Sequence, residues 1–332
     1  MKNKGLLGMM LLLIIIVLAT FVSEKQETRK KEQDRETKTV GILQYVSHPA
    51  LDEIYRGIQD GLAEKGFESE KNLKIEFQNG QADQSKLNMM SQYLLNKKAD
   101  ILVGIATPAA QALANNTTNT PIVLGAITDP QAAHLVADNQ KPGGNITGVS
   151  DQSPVDAQLD LAKKIMPTLK KVGVLYSSAE DNSEAQASRV VAEGRKRGLL
   201  VKKYPVPSSN QISQMVQVMS SEVDLIYLPT DNTIANAMQI VVDIATKNNI
   251  PIMPSVDTMV AQGGLATVGI NQYELGVQTG KMTADILRND SQPATTPIYT
   301  FTKGDVVINK EQAKKLGIKI PDDLLKSASK TK

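Results

Sequence analysis

Short hydroxyl, amide and carboxylate side chains gather at a few points of this 332-residue chain, each beside a run of apolar residues. Gln44, Tyr45, Ser47 and His48 follow Val40–Leu43. Thr107 follows Ile101–Ile105, and Thr128 with Asp129 follows Ile122–Ile127. Further along come Ser177, then Asn182 and Ser183, then Tyr227 inside an apolar run, then Thr230, Asp231 and Asn232, and finally Ser255. Several of these positions open a helical pattern. Free N–H groups and the positive dipole end of a helix suit a carboxylate, and Thr107 and Ser183 are placed to add hydroxyls. An ammonium needs a buried anion, which Asp231, or Asp129 as second choice, could supply. Tyr45 and Tyr227 could stack on a flat ligand or belong to the core. Taken singly, each Ser, Thr or Asp also caps a helix or closes a turn. Taken together, they favour contact with a ligand over capping alone.

Catalytic chemistry is thinly supplied. Ser47, His48 and Asp129 contain the residue types of a hydrolase triad, but adjacent side chains tend to diverge and no G-x-S-x-G elbow surrounds any serine. There is no cysteine, hence no disulfide, thiolate metal site or lipid-modified cysteine, and the two histidines are His48 and His134. Neither G-x-G-x-x-G nor G-x-x-x-x-G-K-[ST] occurs, so a phosphate cradle is missing. Thirty-seven basic against 35 acidic residues leave a formal charge of +2, with no basic stripe to bind nucleic acid. The expectation is a binding protein without enzymatic activity, metal or cofactor.

The elements that must position these residues repeat. Val40-Gly41-Ile42-Leu43 returns as Val172-Gly173-Val174-Leu175, and Lys65-Gly66-Phe67 returns at the same offset as Arg197-Gly198-Leu199. Asp100 and Asp224 each precede an apolar run, Pro121 and Pro251 each open another, and Gly143-Gly144 and Gly263-Gly264 close the two copies. The first copy reads as strand Val40–Tyr45, helix Leu51–Gly66, strand Leu73–Phe77, helix Gln84–Lys97, strand Ile101–Ile105, a short helix Pro108–Ala114 and strand Ile122–Ile127. The second runs from strand Val172–Tyr176 to strand Ile252–Ser255 and includes one long helix, Thr233–Asn248; helix Tyr273–Arg288 follows. Alternation of this kind predicts an α/β fold of two Rossmann-like, doubly wound lobes with a ligand cleft between them. The Gly-Gly pairs read either as hinges or as simple turns.

Lys2 and Lys4 precede an apolar run, Gly5–Val22, which reads as a signal peptide or an uncleaved signal-anchor helix over residues 1–22. Residues 23–38 form a charged linker with almost nothing to bury. Both features point to an extracytoplasmic, membrane-associated protein.

Several segments carry a resemblance: QYVSHP (Gln44–Pro49), GIATPAAQ (Gly104–Gln111), AITDP (Ala126–Pro130), GGNITGVSD (Gly143–Asp151), YSSAEDNS (Tyr176–Ser183), DNTIA (Asp231–Ala235) and Gly263–Leu275. From about Thr39 to Leu325 the chain resembles the extracellular substrate-binding proteins of ABC importers, and in particular their tryptophan-binding members from Gram-positive bacteria. The resemblance implies a type I periplasmic-binding-protein-like architecture, with lobe 1 at 39–148 plus about 272–300 and lobe 2 at 149–271 plus about 301–325. It implies that the helix near Tyr273–Arg288 returns to lobe 1 and that a tail strand near Val306 crosses again. It also implies L-tryptophan or a related amino acid as ligand, an ABC permease and its ATPase as partners, attachment to the membrane through the N-terminal helix, and a monomer. A ligand-sensing module, or a binder of another aromatic or heterocyclic solute, is the alternative.

Overall fold

The computed structural model describes residues 37–330, so the N-terminal apolar run and almost all of the charged linker lie outside the described residues. Six parallel strands build one sheet, β1 (Lys38–Gln44), β2 (Leu73–Asn79), β3 (Ile101–Ile105), β4 (Ile122–Gly125), β5 (Ile146–Ser150) and β11 (Tyr299–Thr300), in the order β11-β5-β4-β3-β1-β2. A second parallel sheet orders β7 (Leu200–Val206), β6 (Lys171–Ser177), β8 (Leu225–Leu228) and β9 (Ile252–Pro254) as β7-β6-β8-β9. Beside it stands a three-stranded sheet, β10 (Ala266–Gly269), β12 (Asp305–Ile308) and β13 (Ser329–Lys330). Strands β3, β4 and β5 are buried along their whole length, as parallel strands covered on both faces must be.

The repeat is physical as well as textual. Val40 pairs with Ile101 in the first sheet and Val172 with Leu225 in the second. Asp100 accepts from the Thr39 amide at 2.7 Å, and Asp224 accepts from the Lys170 and Lys171 amides at 3.0 and 2.8 Å. Each aspartate thus fastens the start of its lobe's first strand, an interior strand of the sheet.

Lobe 1 packs helices α1 (Pro49–Glu64), α2 (Gln84–Asn96), α3 (Thr107–Ala114) and α10 (Gln272–Leu287) around its sheet. Ile54, Ile58 and Leu62 form the fully buried stripe of α1. The α1–α10 contact is made close by four glycines. A Cβ on Gly57, Gly61, Gly276 or Gly280 would stand 2.1 to 2.3 Å from a carbonyl oxygen of the facing helix.

Lobe 2 holds α4 (Val155–Ile165), α5 (Asp181–Lys196), α6 (Ile212–Ser220), α7 (Asn232–Asn236), α8 (Met238–Lys247) and α9 (Asp257–Ala261), with α11 (Lys310–Lys315) and α12 (Asp322–Ser327) in the tail. The single helix expected over 233–248 is two, because Ala237 leaves helical geometry (φ −108°, ψ 17°) between α7 and α8. Strand β4 also ends earlier than expected, where Ala126 turns to φ 62°.

The chain crosses between cores three times: after β5 through Asp151–Pro154, after β10 through Ile270 and Asn271, and between β11 and β12. The Gly-Gly pairs are not these crossings. Gly143 (φ 82°) and Gly263 (φ 124°) are turns leading into β5 and β10.

Candidate functional site

The carboxyl ends of the strands in both lobes face one cleft, lined by residues of the two lobes. The lobes touch across it. His48 Nε2 lies 3.1 Å from Asn232 Oδ1, Gln84 Nε2 donates to the Ala179 carbonyl at 2.9 Å, and Gln111 Nε2 donates to Asp181 at 3.3 Å.

The apolar lining comes from Ala50, Leu51, Ala106, Ala126, Ala235, Val256 and Met259. The polar lining comes from His48, Thr107, Thr128, Asp151, Asn182, Thr230, Asp231, Asn232 and Gln272. Among the described residues no lysine or arginine lines the cavity, so a ligand anion would be met by neutral donors, hydroxyls such as that of Thr107 and main-chain amides. Two helices offer them. Neither α1 nor α3 has a side-chain cap, and each begins with a proline in its first turn. Their first amides open beside Ala50, Leu51 and Thr107. Ala106 (φ 74°, ψ 153°) and Ala126 (φ 62°) are alanines in backbone regions that favour glycine, one at the end of β3 and one at the end of β4. Such strain concentrates where a fold is shaped around a ligand.

Of the residues singled out from the sequence, His48, Thr107, Thr128, Asn182, Thr230, Asp231 and Asn232 line this cavity. Gln44, Tyr45 and Ser47 are not part of its lining. Gln44 Nε2 and the Ser47 hydroxyl both donate to Asp52, and the Tyr45 hydroxyl donates to the Ala82 carbonyl at 3.3 Å. Burial, and then the charges of Glu180 and Asp231, push the Tyr45 phenol up to about 12. Ser255 hydrogen-bonds Thr230 at 3.2 Å from outside the lining. Asp129 closes a turn by accepting from the Ala132 amide at 3.0 Å and does not reach the cleft. Ser177 and Ser183 are fully buried below it. Tyr227 is fully buried in the lobe 2 core, its hydroxyl donating to Gln158, so it is not a stacking face.

Asp231 is committed elsewhere. Its Oδ2 accepts from the Ser177 amide at 2.5 Å and its Oδ1 from the Ile234 amide at 2.8 Å, capping α7. Burial, then the neighbouring Glu180 charge, pushes its carboxyl up. Glu180 accepts from the Asn232 side chain at 2.6 Å and from the Thr233 amide and hydroxyl at 2.9 and 2.8 Å. That contact fixes the Asn232 amide with its oxygen toward His48, which therefore carries the proton on Nε2. Burial lowers the His48 imidazole below its ordinary value.

The model of the family described as ABC transporter substrate binding protein matches residues 39–332. The chain belongs to the ABC transporter substrate-binding protein family. A curated relative, the tyrosine-binding protein of Clostridioides difficile (strain R20291), is 35% identical over 294 residues, covering 89% of this chain and 85% of the relative. The crystal structure of an ABC domain in complex with L-Trp from Streptococcus pneumonia is 49% identical, with a TM-score of 0.86 over 89% of this chain and 99% of that one. A ligand-free, open structure of a substrate binding protein with adhesive properties from Clostridium difficile is 36% identical, with a TM-score of 0.69 over the same shares.

Within this substrate-binding protein, two carboxylates at the site were absent from the sequence-derived set. Asp151 follows β5 on the first crossover; it is 5% exposed, and burial pushes its carboxyl up to about 6 against the Thr128 hydroxyl, which lowers it. Glu180 is 1% exposed. The signal for Asp151 was the run Ile146-Thr147-Gly148-Val149, a strand pattern ending at an acid. Nothing in the local sequence separates Glu180 from a surface glutamate. As a member of this family the protein acts outside the cytoplasm with an ABC permease. Among the described residues no helix is long and apolar enough to cross a membrane.

Proposed function

We propose that the protein binds an aromatic L-amino acid, L-tryptophan first among them, between its lobes and delivers it to the permease. The observation that carries this is the mixed lining of the cavity, apolar side chains together with buried polar groups and, among the described residues, no lysine or arginine. The apolar lining suits a ring: Leu51, Val256 and Met259 offer aliphatic and thioether contacts. The uncapped starts of α1 and α3 suit a carboxylate. Two similar proteins are described with aromatic amino acids, one in complex with L-Trp and one as tyrosine-binding. The higher TM-score to the L-Trp complex than to the ligand-free open structure agrees with a cleft drawn closed. Attachment through the N-terminal apolar segment, action as a monomer and the lack of a catalysed reaction belong to the same proposal.

Calorimetric titration of the chain with the amino acids, and with sugars and purines as controls, tests it. Tryptophan, tyrosine or phenylalanine should bind at micromolar affinity or better, about −8 kcal/mol. Selective binding of an aliphatic amino acid or a sugar would sink the aromatic reading.

A further inference from the structure

Two buried side-chain oxygens lining the cleft have no donor among the described residues. Asp151 is 5% exposed and Asn182 7% exposed, both line the cavity, and the Oδ1 of each lacks a hydrogen-bond partner among the described residues, although the Thr128 hydroxyl also bears on the Asp151 carboxyl. The Asn182 amide is oriented by its Nδ2, which donates to the Thr230 carbonyl at 2.8 Å and leaves the oxygen as the free end. The other lining carboxylate, Asp231, has both oxygens filled by main-chain amides. Burying an acceptor without a donor costs about 1–3 kcal/mol, and more for a charged group. A fold that keeps two such acceptors in one cavity is arranged for a donor that arrives with the ligand. A carboxylate would be repelled there. A primary ammonium supplies three N–H donors, no acceptor and the opposite charge.

We propose that Asp151 and Asn182 form the ammonium subsite, with Asp151 as the charge partner. Asp151 sits on the crossover that leaves lobe 1, and Asn182 on the first turn of α5 in lobe 2. An ammonium bound to both ties the crossover to lobe 2, and a contact made only when both are in place favours the closed cleft. Burial holds the ligand-free Asp151 carboxyl up, at about 6. It therefore ionises readily at neutral pH once a cation is beside it. The assignment rests on the amino-acid reading above for the rest of the ligand, while the subsite itself asks only for a primary amine.

The test is titration of the full chain with L-tryptophan and with indole-3-propionate, which keeps the ring and carboxylate but lacks the ammonium. The wild-type protein should prefer tryptophan by about 30-fold or more, the cost of leaving one partner of a buried charge pair unmatched. Asp151→Asn, nearly identical in shape, should lose a similar factor for tryptophan and leave indole-3-propionate nearly unchanged. Equal wild-type affinities, or full tryptophan affinity in Asp151→Asn, overturn the subsite. The wild-type comparison decides even if the variant does not fold. Binding of a non-aromatic amino acid with the same Asp151→Asn loss supports the subsite and ends the aromatic reading. Binding of indole-3-propionate without tryptophan does the reverse, and silence toward every primary amine overturns both.

Discussion

His48 and Asn232 meet across the cleft, Nε2 to Oδ1 at 3.1 Å, with both side chains at least nine-tenths buried. One stands at the mouth of β1 and the other opens α7, so the bond exists only while the lobes are together. A net hydrogen bond of this kind contributes about 0.5–1.5 kcal/mol. His48→Ala should therefore weaken ligand binding about 2- to 13-fold, mainly through faster dissociation, and enlarge the ligand-free radius of gyration in X-ray scattering. Unchanged dissociation in stopped-flow would show that the pair does not latch the cleft.

Asp231 lines the cavity, yet its two oxygens serve the Ser177 and Ile234 amides. Asp231→Ala removes a helix cap and leaves a buried N–H unpaired, together about 2–4 kcal/mol, partly offset by relief from the Glu180 charge. Urea denaturation should show this loss of stability. A variant as stable as wild type that fails only to bind ligand would return Asp231 to the ligand's shell.

Tyr227→Phe separates core from site. The hydroxyl donates to Gln158, whose Nε2 in turn donates to the Val268 carbonyl at 2.8 Å. Deleting it orphans a buried acceptor and should cost about 1–3 kcal/mol of stability. Ligand affinity should stay at the wild-type value in calorimetry, because the ring lies outside the cavity. A large affinity loss with normal stability would contradict that placement.

The two tyrosines show why part of the site was legible and part was not. Residues just past a strand's carboxyl end converge in a parallel fold whatever their side chains, and this is how His48, Thr107, Thr128, Asn182, Thr230, Asp231 and Asn232 were readable. Tyr227 lies inside a strand buried on both faces, where the two-residue alternation that reveals a side chain's direction is absent. Asp151 was missed because Gly143-Gly144 and Gly148 make its approach read as a hinge or turn, although residues 146–150 form a strand of the first sheet. The repeat was legible because its punctuation is local chemistry: Asp100 and Asp224 each bind amides at the start of an interior strand. The return of α10 onto α1 came only with the family resemblance, since its glycine matching is visible only once the two helices are paired.

That pairing makes a sharp prediction of its own. A methyl group on Gly276 would stand 2.1 Å from the Ile54 carbonyl oxygen, and backbone on both sides leaves it nowhere to go. Gly276→Ala should force the helices apart and destabilise the protein by about 3 kcal/mol or more, despite the better helix propensity of alanine. A thermal midpoint equal to wild type would mean that the helices separate without cost.

Acidity should act on the empty and the filled cleft in opposite directions. Burial raises the carboxyls of Asp151 and Asp257 to about 6, and burial with the Glu180 charge raises that of Asp231. Folded values above the ordinary carboxylate value mean that the native state keeps protons the unfolded chain has released. Their stabilisation is complete below the unfolded values and is lost as pH rises through about 6. His48, lowered by burial, opposes this, since its contribution is lost as pH falls. Three carboxyls outweigh one imidazole, so ligand-free stability should fall between about pH 4.5 and 7, with a shallower fall in Asp151→Asn. An ammonium ligand requires the ionised Asp151, so its affinity should rise about tenfold per pH unit up to about 6 and then level off. Calorimetry at pH 5 and 7.5 in buffers of different ionisation enthalpy should show a proton released on binding at the lower pH. An affinity that is flat across that range, with no proton released, would mean that Asp151 does not hold the ligand's charge.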